Sequence, residues 1–181
     1  MAVTQFNLPA GRRAERKLLI TVAEWTEVTG TTTTTGTQVR EILGTRTEDS
    51  SIEYNADIET TTDIRGINYT DLNKTQPQQA FDPFLILGGS KLGAFLNDIR
   101  RRNALSELGD FTMYIITAFV GSSGAYEAEK HTGCTITYDS FGGDTNVNFP
   151  ITVYFSNNIT TGTVDKLSDD FVFTADVSVG G

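Results

Sequence analysis

The chain has 181 residues, 38% hydrophobic and 20% charged, and a formal net charge of −9. That composition describes one domain large enough to bury a core and excludes a disordered chain. The acidic balance also excludes a conventional nucleic-acid binder, which presents a basic face.

The first seventeen residues run against that balance. Arg12, Arg13, Arg16 and Lys17 stand against Glu15 alone, a net of +3 that leaves −12 for the remainder. This reads either as a basic N-terminal arm that pairs with acidic neighbours in head-to-tail association or as a frayed terminus. The segment has no apolar signal-peptide core, and no apolar run approaches the ~20 residues of a membrane span. A single cysteine, Cys134, excludes an internal disulfide and fits a reducing compartment. The expectation is a protein made in the cytoplasm without a membrane partner, whose sequons at Asn68, Asn73 and Asn158 are incidental.

Leu18–Trp25 is a short apolar strand, and Gly30–Gly36 (GTTTTTG) reads as a low-complexity loop. A second strand is expected over Gln38–Arg46. Abundant threonine, with Val, Ile, Phe and Tyr, tilts the whole chain toward β-structure. Glu48–Asp63 (EDSSIEYNADIETTTD) then carries six acids, Glu48, Asp49, Glu53, Asp57, Glu59 and Asp63, and no base. Hairpin connections normally take about two to five residues, so a polar excursion this long calls for a reason. Two readings stand: a solvated loop, or an arm that orders only against another subunit.

Asp63–Leu72 has strand-like content, and Phe81–Leu87 is apolar, with Pro83 suggesting an edge or an irregular entry. The period then changes. Gly88-Gly89 is a break, Ser90 a helix N-cap, and Leu92, Phe95, Leu96 and Ile99 fall on one helical face. Arg100, Arg101 and Arg102 sit in the last turns, where cations favour the negative end of the dipole. A helix is predicted over 90–105. Strands follow at Phe111–Val120, apolar on both faces and hence covered on both, and at Tyr126–Tyr138, Val147–Phe155, Thr160–Val164 and Phe171–Val177.

Residues suited to catalysis are sparse. His131 and Cys134 are the only ones of their types, and an odd offset on a strand predicts opposite faces, against a dyad or a zinc site. GGSKLG (88–93) lacks the phosphate-loop order, and Asp165, Asp169 and Asp170 lack the calcium-loop pattern. The reading is a non-enzymatic chain with no catalytic residue, metal or cofactor.

Three segments, in order, resemble the major tail protein (tail tube protein) family of tailed bacteriophages. They are EDSSIEYNADIETTTDI running into INYTDLNKTQPQQAFDPF; GGSKLGAFLNDIRRRNAL followed by FTMYIITAFV; and AYEAEKHTGCTITYDSFGGDTNVNFPITVYFSNNITTGTVDK. Together they cover most of residues 17–176, and their order rather than any single motif carries the match. The resemblance implies a mainly β fold: two packed antiparallel sheets, a sandwich or partial barrel, with one flanking α-helix, in a single domain over 1–181.

It further implies rings of six subunits, their inner sheets joined into one barrel, stacked into the tail tube of the virion. DNA and the tape measure protein pass through that tube, and tail terminator and tail-tip proteins bound it. Long loops and termini make the subunit contacts, so Glu48–Asp63, Met1–Lys17 and the tail after Asp165 become the candidate arms. A chain ending at Gly181 is expected to lack the immunoglobulin-like domain of some relatives. A ring would carry −54, and acids on a channel wall would repel passing phosphates within ~8 Å at physiological salt.

The unpaired look of Arg100–Arg102 suggests pairing with acids of the Glu48–Asp63 arm on an adjacent subunit. The competing reading is a monomeric carbohydrate-binding β-sandwich that uses Trp25 or the tyrosines as stacking platforms.

Overall fold

The computed structural model describes residues 6–27, 36–47 and 49–176. The GTTTTTG tract, apart from Gly36, lies outside the described residues, as do Glu48 and residues 177–181. In chain order the elements are β1 (Leu19–Glu27), β2 (Thr37–Ile42), β3 (Ile52–Glu53), β4 (Asp57–Thr62), β5 (Asn68–Lys74), β6 (Gln78–Phe81) and helix α1 (Lys91–Arg102). They continue with β7 (Phe111–Ser122), β8 (Ala125–Tyr138), β9 (Ile151–Tyr154), β10 (Ile159–Val164) and β11 (Phe173–Ala175).

Among the described residues the chain is mainly β with one α-helix, and every strand pairing is antiparallel. Strand β8 is long enough to belong to two sheets. Its N-terminal part lies between β7 and β10 in the order β2-β1-β7-β8-β10-β11, while Thr135–Tyr138 pairs with β9, beyond which come β6 and β3. The two sheets face each other directly: Thr21 on β1 donates a hydrogen bond to Gln79 on β6 at 2.8 Å.

Strand alternation sorts side chains into two clusters. Ala23, Trp25, Phe111, Met113 and Ile115 point between the sheets, where Phe81, Cys134, Ile136, Ile151 and Val153 meet them. Their alternates, Val22, Tyr114, Ile116 and Ala128, point the other way and are covered by Leu167, Phe171 and Phe173. β7 is therefore covered on both faces, as its sequence predicts. The segment after Asp165, expected as an arm, is a strap as far as residue 176: Phe171 is buried and β11 pairs with β10.

Helix α1 closes the open side of the first cluster with Leu92, Leu96 and Ile99, and Phe95 stacks on Trp25 at 5.6 Å between ring centres. Its start is fixed twice. The Ser90 hydroxyl oxygen accepts from the Gly93 N–H at 3.1 Å. From β2, Glu41 accepts from the Leu92 N–H at 2.7 Å and from the Ser90 hydroxyl at 2.9 Å, placing an anion at the positive end of the dipole. The helix stops at Asn103, whose φ of 55° is left-handed, two residues before the predicted end at 105.

The acidic excursion is not a loop. It holds β3 and β4, and the chain returns through β5 and β6 as one long, bent hairpin. The turn lies just past the acidic run: the Gly66 N–H donates to the Asp63 carbonyl and the Asp63 N–H to the Ile67 carbonyl, both at 2.9 Å. β3 and β6 join the second sheet, whereas β4 and β5, among the described residues, pair only with each other, and every residue of both strands is exposed.

The opposite-face expectation for His131 and Cys134 is also corrected. Gly133, at φ +76°, is an extra residue in β8, so His131 falls opposite Met113 and Cys134 opposite Phe111. That bulge restores the phase, and both side chains turn toward the inter-sheet side.

Candidate assembly interface

The outer hairpin has two distinct faces, because residues directly opposite across an antiparallel pair project to the same side. Ile58 faces Leu72 and Thr60 faces Thr70 on one side; Glu59 faces Asp71 and Thr61 faces Tyr69 on the other. One face is therefore aliphatic and threonine-rich, the other acidic. Ile58 and Leu72 remain 59% and 62% exposed, with Ile64 and Ile67 bare at the tip. Glu59 opposite Asp71 is a like-charge pair, which weakens a hairpin standing alone. An isolated two-stranded hairpin is marginal in water even without that penalty.

Both ends of the hairpin are locally fixed. Asp63 accepts from the backbone N–H groups of Ile67 at 2.9 Å and Arg65 at 2.8 Å; the Ile67 bond above all holds its carboxyl below the usual range. At the root, Ser50 is buried and donates to the Ala80 carbonyl, while its own carbonyl accepts from Arg16 Nε at 3.1 Å and Nη2 at 2.7 Å. Arg16 is thus a clamp within the chain rather than a free arm residue. Lys17 pairs with Glu15 at 2.6 Å, and Arg12 and Arg13 are exposed with no ion pair among the described residues. Further back, Phe6 bridges to Val120, and Asn7 donates to the Phe119 and Gly121 carbonyls, so the N-terminal segment is laid on the end of β7.

Asp49, Asp57 and Glu59 are exposed, Glu53 accepts from Gln78 at 3.3 Å, and Glu48 lies outside the described residues.

The three arginines at the end of α1 have different surroundings, which corrects their reading as one unpaired cluster. Arg102 grips Glu107 with both terminal nitrogens, at 2.7 and 2.8 Å, and Asp98 with Nε at 2.7 Å. Arg100 donates to Asn97 at 2.9 Å and lies 4.3 Å over the Phe141 ring. Arg101 is exposed and makes no side-chain hydrogen bond or ion pair among the described residues. Phe141 and the neighbouring Val147 are each 46% exposed. The sequence reading missed this apolar strip, since single aromatics between turns carry no period.

His131 Nδ1 lies 2.9 Å from the Ser156 carbonyl and so donates to it, and the ring packs against Phe155. The Cys134 thiol donates to the His131 carbonyl and accepts from the Ser156 amide, and burial pushes it up. Among the described residues no group of three His, Cys, Asp or Glu side chains is placed to hold a metal ion. No described helix is long and apolar enough to cross a membrane. Trp25, considered as a stacking platform, is only 3% exposed, and the exposed tyrosines Tyr54, Tyr69 and Tyr154 are divided between the hairpin and β9.

No protein-family model matches the sequence, and no curated protein matches it.

Proposed function

We propose that this chain is a structural protein of a bacteriophage tail, assembling into six-membered rings that stack into the tail tube. In this role it performs no catalysis. It forms a conduit through which DNA passes, alongside the tape measure, tail terminator and tail-tip proteins. The observation that carries the proposal is the β4–β5 hairpin, an ordered antiparallel pair whose aliphatic residues Ile58 and Leu72 stay exposed among the described residues. A hairpin of this kind gains its stability from a surface outside the chain. Further support comes from the three segments that resemble the tail tube family and from a mainly β fold with one flanking helix.

Free strand edges fit the same role. Among the described residues β2 and β11 each end the first sheet with one side unpaired, and closing such edges against a neighbour converts an aggregation liability into assembly. Negative-stain electron microscopy of the purified protein, concentrated at several salt levels, tests the proposal. Hollow rings or tubes of uniform diameter are expected. A protein that stays monomeric even with its tail-tip complex added, and binds a glycan panel saturably, would overturn it.

A further inference from the structure

Strand β2 ends its sheet, yet two of its outward backbone groups are occupied by charged side chains. The Leu43 N–H donates to the Thr21 carbonyl at 2.8 Å, so residue 43 turns its backbone toward β1, and counting back in twos so do 41, 39 and 37. Gln38, Arg40 and Ile42 therefore direct their N–H and C=O groups away from the sheet, where no strand lies among the described residues. The Ile42 N–H donates to Asp169 Oδ1 at 3.2 Å, and the Arg40 carbonyl accepts from Lys91 Nζ at 3.5 Å. Lys91 and Asp169 also pair with each other at 3.8 Å, which closes a bridge along the edge. Gln38 is exposed and has no such partner among the described residues.

Lys91 opens α1, the end where the dipole favours an anion over a cation, so the strand edge rather than the helix accounts for its place. Asp169 lies on the strap, two residues before Phe171, whose ring is buried in the outer cluster and whose carbonyl accepts from Arg40 Nη1 at 2.6 Å. The strap thus covers an apolar face and caps a strand edge at once. We infer that Asp169 and Lys91 form an autoinhibitory cap, which holds the β2 edge shut against strand addition by a second copy until the strap lets go. This deepens the assembly reading and rests on it for the identity of the added strand. Charged side chains laid across an edge are a common way for β-proteins to prevent edge-to-edge pairing. The side chains of Lys91 and Asp169 are 53% and 43% exposed, so their bridge is weak and opens without unfolding the sheets.

Amide exchange on the full-length chain reads the cap one residue at a time. In the wild type, Ile42 should exchange several-fold more slowly than Gln38, each relative to its intrinsic rate, although both face outward on one strand. Asp169→Ala should bring Ile42 to the rate of Gln38 and quicken self-association in light scattering several-fold. Asp169→Asn keeps the acceptor oxygen, so it should hold Ile42 protected and associate more slowly than Asp169→Ala. Lys91→Ala, at an exposed position, should also quicken association while Ile42 stays protected, which separates uncapping from loss of the fold. Equal exchange of Ile42 and Gln38 in the wild type, or unchanged association in both Asp169→Ala and Lys91→Ala, would overturn the inference. Tubes from a wild type without Ile42 protection would refute the cap and leave the tail-tube reading standing. Faster pairing on uncapping in a protein that never forms tubes would do the reverse.

Discussion

Glu24 and Arg40 face each other across β1 and β2, and their ion pair is buried beneath the strap. The Tyr114 hydroxyl donates to the Glu24 carboxylate at 3.3 Å, and Arg40 reaches the Phe171 carbonyl at 2.6 Å while lying 4.4 Å over its ring. Truncating one partner leaves the other charge without compensation. Arg40→Ala should therefore cost about 3 kcal/mol in urea unfolding, toward the lower end for opening a buried pair because Arg40 keeps 22% of its side chain exposed. Replacing both, as Glu24→Leu with Arg40→Met, should recover most of that loss. Burial, then the nearby Glu24 charge, pushes the Tyr114 phenol up to about 12. The fold thus favours the neutral phenol more than the unfolded chain does. Its contribution is complete below about pH 10 and is lost as pH rises through about 12. Tyr114→Phe should flatten that alkaline loss when stability is followed against pH.

Among the elements, α1 and β9 were legible because each carries a period, Leu92, Leu96 and Ile99 for the helix, Phe149, Ile151, Val153 and Phe155 for the strand, and β7 was legible as an unbroken apolar run. The Ser90 cap could also be located from its type and position. The outer hairpin was hidden because its acids suggested solvent, and its turn glycine, Gly66, lies three residues beyond the acidic run. Alternation also misled at His131 and Cys134, since a face-counting rule assumes an unbroken ladder and Gly133 inserts one residue. The Arg102–Glu107 pair was hidden for a related reason, as it spans the helix end, where helical spacing no longer applies. Gly133→Ala should cost about 1–2 kcal/mol by chemical denaturation, through backbone conformation alone, because no atom lies within 4 Å of the added Cβ. A larger loss would mean the bulge shifts and moves His131 off the Ser156 carbonyl.

For the whole molecule, the fold and the proposed assembly rest on different surfaces. The two clusters hold the sheets, helix and strap, and the outer hairpin contributes nothing to either. Replacing residues 57–74 with a short turn should leave the thermal midpoint of the monomer within a few degrees while abolishing rings or tubes. A matching drop in midpoint would show that the hairpin supports the monomer after all. Cys134 gives this division a clock. Its thiol sits at full burial between the sheets, held by the Ser156 amide, so a thiol reagent reaches it only when the sandwich opens. The labelling rate therefore reads how often the domain opens, and in the proposed tubes a slower rate than in free subunits would measure how far neighbours hold each domain shut.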